Sequence, residues 1–401
     1  MASVRAKVKA ELLEWARTAA GFTVEEAAKK VAVDHERLAA WEDPAGEDHP
    51  TMNQLRTLSK AYHQPLSIFY LSKPPRGVPI MHDFRRLPGE VAQVYSPALR
   101  LEVISAHKRR TVALSLLEEL EQAPPRLTHR VALADGPEMA GGLAREILGV
   151  SYAQARQWRD ERKAYNGWRR AIEATGVLVF QVVGVSTSEM RGFSIAEDVL
   201  PVIAVNRKDR VNGRIFSLLH EFTHLLLHES GLCDFDEDEL RPPQENRIEI
   251  FCNHAAGATL VPREDLLRET IVRVKGEGRH PWSDDELSAL GRIYGVSREV
   301  VLRRLLILGR ASQDYYGARH AAFMDEYRRE EEEKAPPEKF ARNMPQEAVS
   351  NYGETFTNLV VDTYQQDRIA LSDAAQYLGV RAKHLPRVER LLRGEGTTPH
   401  L

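Results

Sequence analysis

The sequence predicts a mainly helical α+β protein in which one small sheet is set among many helices. Three observations lead there. Apolar residues recur at helical spacing over most of the 401 residues. The period changes between about residues 176 and 206, where β-branched, mostly apolar runs mark buried strands. Pro- and Gly-rich or charge-rich breaks then divide the chain into four parts.

Residues 1–72 read as a five-helix bundle. ELLEWARTAAG carries Leu12, Leu13 and Ala16 on one face and stops at Gly21. Thr23 and Glu26 have capping-box spacing and open TVEEAAKKV. After the short connection AVD, with Asp34 placed to cap it, comes HERLAAWE. PTMNQLRTLSKAYHQPLSIFYL supplies two more helices, with Leu55, Leu58, Tyr62, Leu66, Phe69 and Tyr70 expected to face inward. Two short helices joined by a tight turn inside such a bundle form a helix-turn-helix arrangement.

KPPRGVPIMHDFRRLPGE opens a linker and connecting helix over 73–130, with the helix at about Pro97–Glu121 and a second break at APPRLTH. Residues 131–310 are expected to form one domain. Helical patterns recur over about Arg145–Ala174; GVLVFQVVGV (Gly176–Val185) and LPVIAVN (Leu200–Asn206) read as strands, with RGFSIA between them as a further candidate. The chain then returns to helix. EEEEK near Glu330 and the prolines at 336 and 337 mark the last boundary; the C-terminal helical domain, taken as 311–401, carries FTNLVVDTYQQDR and LSDAAQYLGVRAKHLPRVERLL in its tail from about Pro345 to Leu392.

Composition limits the function classes. The chain is 43% hydrophobic and 28% charged, with formal net charge -3, so charge as a whole gives no push toward nucleic acid. No apolar run is long enough to span a bilayer and no signal pattern opens the chain. Two cysteines, Cys233 and Cys252, make no disulfide framework or CxxC pair, which suits a reducing cytoplasm.

The chemistry concentrates in RIFSLLHEFTHLLLH (Arg214–His228). His220 and His224 stand four apart, so both imidazoles leave one helix face, as gripping a single metal ion requires. Zinc in a catalytic site takes three protein ligands and leaves the fourth position to water, whose pKa falls to about 7. Glu221 is placed to hold that water without binding the metal, to take its proton as it attacks a scissile carbonyl, and to pass the proton to the leaving amine. The bulky apolar neighbours would keep the site dry. The third ligand must come from elsewhere. Position 230 is Ser230, so a histidine six residues after His224 is absent. His228, four beyond His224, would reach past the metal along a straight helix and reads as a helix-terminal or supporting histidine, with ligation the lesser alternative. ENRIEIFCNHAAGATLVP (Glu245–Pro262) offers a carboxylate: Glu249, set between Ile248, Ile250 and Phe251, is favoured over Glu245, which reads as a surface residue. Ala255, Ala256, Gly257 and Ala258 on that helix permit close helix packing. His254 is a further candidate, as a core histidine, an alternative ligand or an oxyanion-stabilising group.

HEFTHLLLH followed by IEIFCNHAAGATLVP resembles the ImmA/IrrE family of metallopeptidases. The resemblance implies a zincin-like core with a small sheet, zinc on His220, His224 and Glu249, and Glu221 as general base. The N-terminal bundle resembles XRE-type helix-turn-helix domains, down to Trp41–Glu42 and the PTMNQL start of a helix. HDFR at His82–Arg85 and FTNLVVDTY…AAQYLGV resemble segments of the larger members in which both domains are fused. Such relatives cut a repressor protein, or sit beside a PIN-like nuclease as the antitoxin of a toxin–antitoxin pair. The implied partners are therefore a repressor substrate or a neighbouring toxin. The alternative to a zinc endopeptidase is a non-catalytic antitoxin or transcriptional repressor. DNA binding would fall to Lys29, Lys30, His35 and Arg37, yet residues 1–70 hold nine Lys/Arg against ten Asp/Glu, without the basic face of a strong reader. A domain kept for homodimerisation or partner docking competes with that reading.

Overall fold

The computed structural model describes residues 4–75, 95–158, 160–229, 232–233, 243–332 and 343–394. HDFR at 82–85, the side chain of Glu245, Ser230 and the prolines at 336 and 337 lie outside the described residues. The chain divides into two compact units, Met1–Thr111 and Val112–Leu401.

The first unit contains α1 (Ala10–Ala19), α2 (Val24–Val31), α3 (His35–Glu42), α4 (Met52–Ala61), a 3-10 turn at Leu66–Tyr70, and the first half of α5 (Pro97–Glu119). Thr23 and Thr51 each accept from the backbone three residues on, while Glu26 and Gln54 bond back, closing two capping boxes. Asp34 stands at the α3 N-cap position without a side-chain cap bond, so the backbone turn alone starts that helix. Leu12, Leu13, Leu38, Trp41, Leu55, Leu58, Tyr62 and Phe69 make the core. Tyr70 was expected inside but is 53% exposed. The 3-10 geometry explains the difference: three residues per turn rotate Tyr70 off the face that buries Phe69. The Trp41–Glu42 pair is structural here. Trp41 is buried and donates Nε1–H to Asp48, and Glu42 forms a buried two-pronged ion pair with Arg17 of α1.

The second unit adds α6 (Pro137–Leu148), α7 (Tyr152–Gln157) and α8 (Glu161–Ala174) before a four-stranded sheet. Its strands are β1 (Leu178–Val182), β2 (Gly192–Ile195), β3 (Val202–Asn206) and β4 (Leu232–Cys233), in the order β1-β3-β2-β4. β1 and β3 are parallel, with Leu178 opposite Val202; β2 runs antiparallel to β3 and to β4. RGFSIA is thus a strand. β4, two residues long, falls in the stretch after Asn206 that was expected to be helix for most of its length; so short a run carries no periodic signal. Helices α9 (Val211–Leu227), α10 (Pro243–Leu260), α11 (Arg263–Arg268), α12 (Thr270–Lys275), α13 (Asp284–Tyr294), α14 (Arg298–Ile307) and α15 (Gln313–Glu332) follow. The main core joins α8, α9 and α14 to Val179, Ile203 and Val205, which share one face of the sheet.

The last helices are α16 (Met344–Gln365), α17 (Leu371–Tyr377) and α18 (Leu385–Leu392). α16 packs on β1, with Phe356 edge-on to Phe180 at 5.8 Å. β1 bonds β3 through Leu178 N–H and Val182 C=O, so the Val179 carbonyl points to the open edge. Arg169 of α8 donates to it at 2.5 Å, bonds Glu173, and donates to the Ser350 carbonyl at 2.6 Å. That carbonyl is available because α16 kinks at Gly353, where φ is 82° and ψ 161°. Gln181 also donates to it and accepts from Arg214 of α9. A Cβ at Gly353 would adopt a strained backbone and collide with the Glu173 carboxylate. Gly353→Ala is therefore expected to destabilise the second unit by about 2–4 kcal/mol, read as a lower urea midpoint.

Candidate metal centre

α9 is buried from Ile215 to Leu226 because its apolar positions face the sheet, α8 and α10 at once. Four-residue spacing puts His220 and His224 on one face, with ring centroids 4.9 Å apart and their Nε2 atoms 3.1 Å apart. α10 crosses close by and brings Glu249, whose Oε2 lies 3.4 Å from His220 Nε2 and Oε1 3.2 Å from His224 Nε2. All three residues are buried, and their ligand atoms lie within 4.8 Å of one another. Donors about 2.0–2.2 Å from a tetrahedral cation stand roughly 3.3–3.6 Å apart. The observed spacings fit that requirement, as does the set of two imidazoles and one carboxylate. Burial would raise the Glu249 carboxyl, but the adjacent histidines hold it well below the usual carboxylate range.

The small residues of α10 serve two neighbours. Gly141 of α6 meets Ala258 and the Ala255 carbonyl so closely that a Cβ there would not fit. Gly257 faces the Arg304 side chain. Cys252, on the same helix, is fully buried and its thiol is pushed up to about 11 by that burial, so it is an inert packing group.

Glu221 follows His220 and points to β2. A Cβ on Gly192 would lie 2.8 Å from its Oε1 and 3.1 Å from its Cγ, so glycine makes room for the carboxylate. Glu221 is fully buried, and burial raises its carboxyl, opposed by charge on His224 and His220. A proton acceptor that keeps affinity for its proton is what general base chemistry needs.

The other two sequence candidates stand apart from this cluster. His228 is the left-handed C-cap of α9, about half exposed, with Nδ1 3.8 Å from Asp198. As the helix ends there, its ring turns away from the face that carries His220 and His224. His254 bonds Glu138 of α6 at 2.8 Å, because five residues along α10 rotate it well off the face that carries Glu249. Glu138 also receives two bonds from the buried Arg304 guanidinium, which in turn donates to the Val261 carbonyl. None of α6, α10 and α14 signals this clamp locally, since Glu138 lies more than a hundred residues before both of its partners.

A cavity of about 650 Å³ opens beside the centre. Its walls come from the residues before β2, the start of α9, and parts of α10, α14 and α15. Phe216, one turn before His220 with rings 6.3 Å apart, and Asn253, one turn after Glu249, line it. Neither role is legible locally, because the wall is assembled from distant segments.

On the first unit, Lys29 and Lys30 of α2 and His35 and Arg37 of α3 are all exposed. Acidic Glu25, Glu26 and Glu36 share those helices. Lys30 lies 5.9 Å over Phe22, and Arg37 lies 5.8 Å over Trp41 and 3.7 Å from Asp48.

Burial works to raise the Glu138 carboxyl, yet its bonds from His254 and Arg304 prevail and hold it at about 2 against an ordinary 4.5. A carboxyl depressed on folding contributes stability above its unfolded value and loses it as pH falls toward the folded one. Acid titration is expected to destabilise the second unit progressively from pH 4.5 toward 2, with a shallower slope in Glu138→Gln, read by circular dichroism.

Residues 172–306 match the family model described as the IrrE N-terminal-like domain, a peptidase family designated M78. That span runs from the end of α8 through the sheet, α9 and α10 into α14, and so contains the whole cluster. It supports the resemblance to ImmA/IrrE peptidases over this segment. No curated protein matches the chain. Among the described residues, no helix is long and apolar enough to cross a membrane.

Proposed function

We propose that this protein is a zinc-dependent endopeptidase that acts on a partner protein. The buried convergence of His220, His224 and Glu249, with Glu221 beside it, carries the reading. His220, His224 and Glu249 would hold the ion, which when bound supplies Lewis-acid activation of water and of the scissile carbonyl. Glu221 accepts the proton of the attacking water and returns it to the leaving amine nitrogen. Gly192 leaves the space in which that carboxylate is held, and the helix and sheet around it fix its aim. Dry surroundings of Phe222, Leu219 and Leu225 strengthen these electrostatic effects.

The partner we propose is a repressor or a neighbouring toxin, recognised with the help of the helical N-terminal unit. DNA binding through Lys29, Lys30, His35 and Arg37 is the less favoured role for that unit, because acidic residues accompany those cations on both helices. Exposed α2 and α3 equally suit protein docking.

Metal analysis of purified protein is expected to find one zinc per chain, lost in His220→Ala and in Glu249→Ala but kept in Glu221→Gln. Incubated with the product of the adjacent gene, the wild type is expected to cleave it, and Glu221→Gln to be slower by roughly 10²–10⁴-fold. Neutralisation of that product by Glu221→Gln, without cleavage, would move the function to a non-catalytic antitoxin.

A further inference from the structure

We propose that the cavity beside the metal centre is a substrate cleft selecting an extended, acidic peptide segment, with Asn253 holding that segment's main chain. The proposal rests on the endopeptidase reading and adds the substrate class.

Position comes first. Phe216 and Asn253 are each one helical turn from a residue of the metal cluster, so the cavity lies about one turn, ~5.4 Å along α9 and α10, from the centre. Its size, about 650 Å³, falls within the ~300–1,000 Å³ usual for ligand clefts.

Asn253 supplies a second, independent observation. It is only 8% exposed, it lines the cavity, and its Oδ1 has no hydrogen-bond partner among the described residues. Buried amide oxygens are rarely left so. A carboxamide offers one acceptor and two donors, which match the N–H and C=O of a peptide group. Rotation about its terminal torsion, which is broad and roughly two-fold, can present either end to the cavity.

Charge completes the case. Six Arg or Lys residues line the cavity against three carboxylates. Arg304 is paired with Glu138, Arg298 with Glu326, and Arg191 and Arg303 with Asp209 and Glu299 of the lining itself; Lys208 and Arg210, just before α9, are exposed, with Arg210 lying over the Tyr327 ring. Concave walls of one prevailing sign focus the field and draw in the opposite charge. The N-terminal ends of α9 and α14 border the same space and add partial positive charge. A peptide bearing Asp or Glu satisfies both the carboxamide and this field.

The test uses full-length Glu221→Gln protein, loaded with zinc, and fluorescent short peptides identical except for one central Glu, Gln or Lys, read by polarisation. The Glu peptide is expected to bind about tenfold tighter than the Gln peptide, and the Lys peptide weaker still, with the difference shrinking as salt rises. Adding Asn253→Ala is expected to weaken all three peptides alike by about tenfold, with zinc content and melting temperature unchanged. Asn253→Asp keeps the shape should the alanine variant fold poorly, and is expected to reduce the Glu peptide's advantage. Lys208→Glu with Arg210→Glu, both at exposed positions, is expected to reverse the charge preference while leaving the Gln peptide alone. Equal binding of Glu and Lys peptides, affinities indifferent to both Asn253 variants, or displacement of the Glu peptide by a short single-stranded oligonucleotide at lower concentration would overturn the proposal. Because binding is measured apart from turnover, absent zinc or absent cleavage counts against the enzymatic function and leaves the peptide preference readable.

Discussion

Two imidazoles and a carboxylate buried at the crossing of α9 and α10 are the constraint on which the second unit depends. Burying such groups is costly unless each meets a partner of suitable charge. Here the cost is met by mutual contact at 3.1–3.4 Å, and the spacing suits a shared cation. Geometry that close demands rigid backbones. α9 is held by the sheet on one side and α10 on another, and α10 is pressed to α6 through Gly141 and Ala258. The Glu138–His254–Arg304 clamp then ties α6, α10 and α14 together one turn away from the cluster. α10, which carries Glu249, is thus fixed by a part-buried polar contact that a hydrophobic core alone would leave unspecified.

Local signals in the sequence carried much of this architecture. β-branched, mostly apolar runs placed β1 and β3, and the capping box at Thr23 formed as its spacing implies. His220, His224, Glu221 and Glu249 were also legible, because helical geometry makes a four-residue spacing a statement about shared direction, and because Glu249 sits among apolar neighbours where a surface carboxylate would not. What stayed hidden depends on distant partners. Asp34 has the right residue type for a cap and does not use it; Tyr70 follows a face that a 3-10 turn rotates away. His254 looked like a candidate for the metal only while Glu138, over a hundred residues earlier, was unknown as its partner. Asn253 is an ordinary helical residue until a cavity wall forms around it.

The C-terminal helices show how far the centre's support extends. β1 is the edge strand beside β3, and an edge strand leaves alternate carbonyls and N–H groups without a ladder partner. Arg169 closes one of them at Val179 and, through the Ser350 carbonyl, joins α16 to the same edge. The kink at Gly353 is what frees that carbonyl, so a local break in one helix repairs an unsatisfied edge in a sheet. Gln181 extends the chain of bonds to Arg214, near the start of the helix that carries His220 and His224. α16 therefore acts on the helix that carries His220 and His224 through two side chains and one carbonyl. Straightening α16 at Gly353 would return the carbonyl to its own helix, leave Arg169 and Gln181 without that shared acceptor, and loosen the start of α9 at the point where the cavity begins.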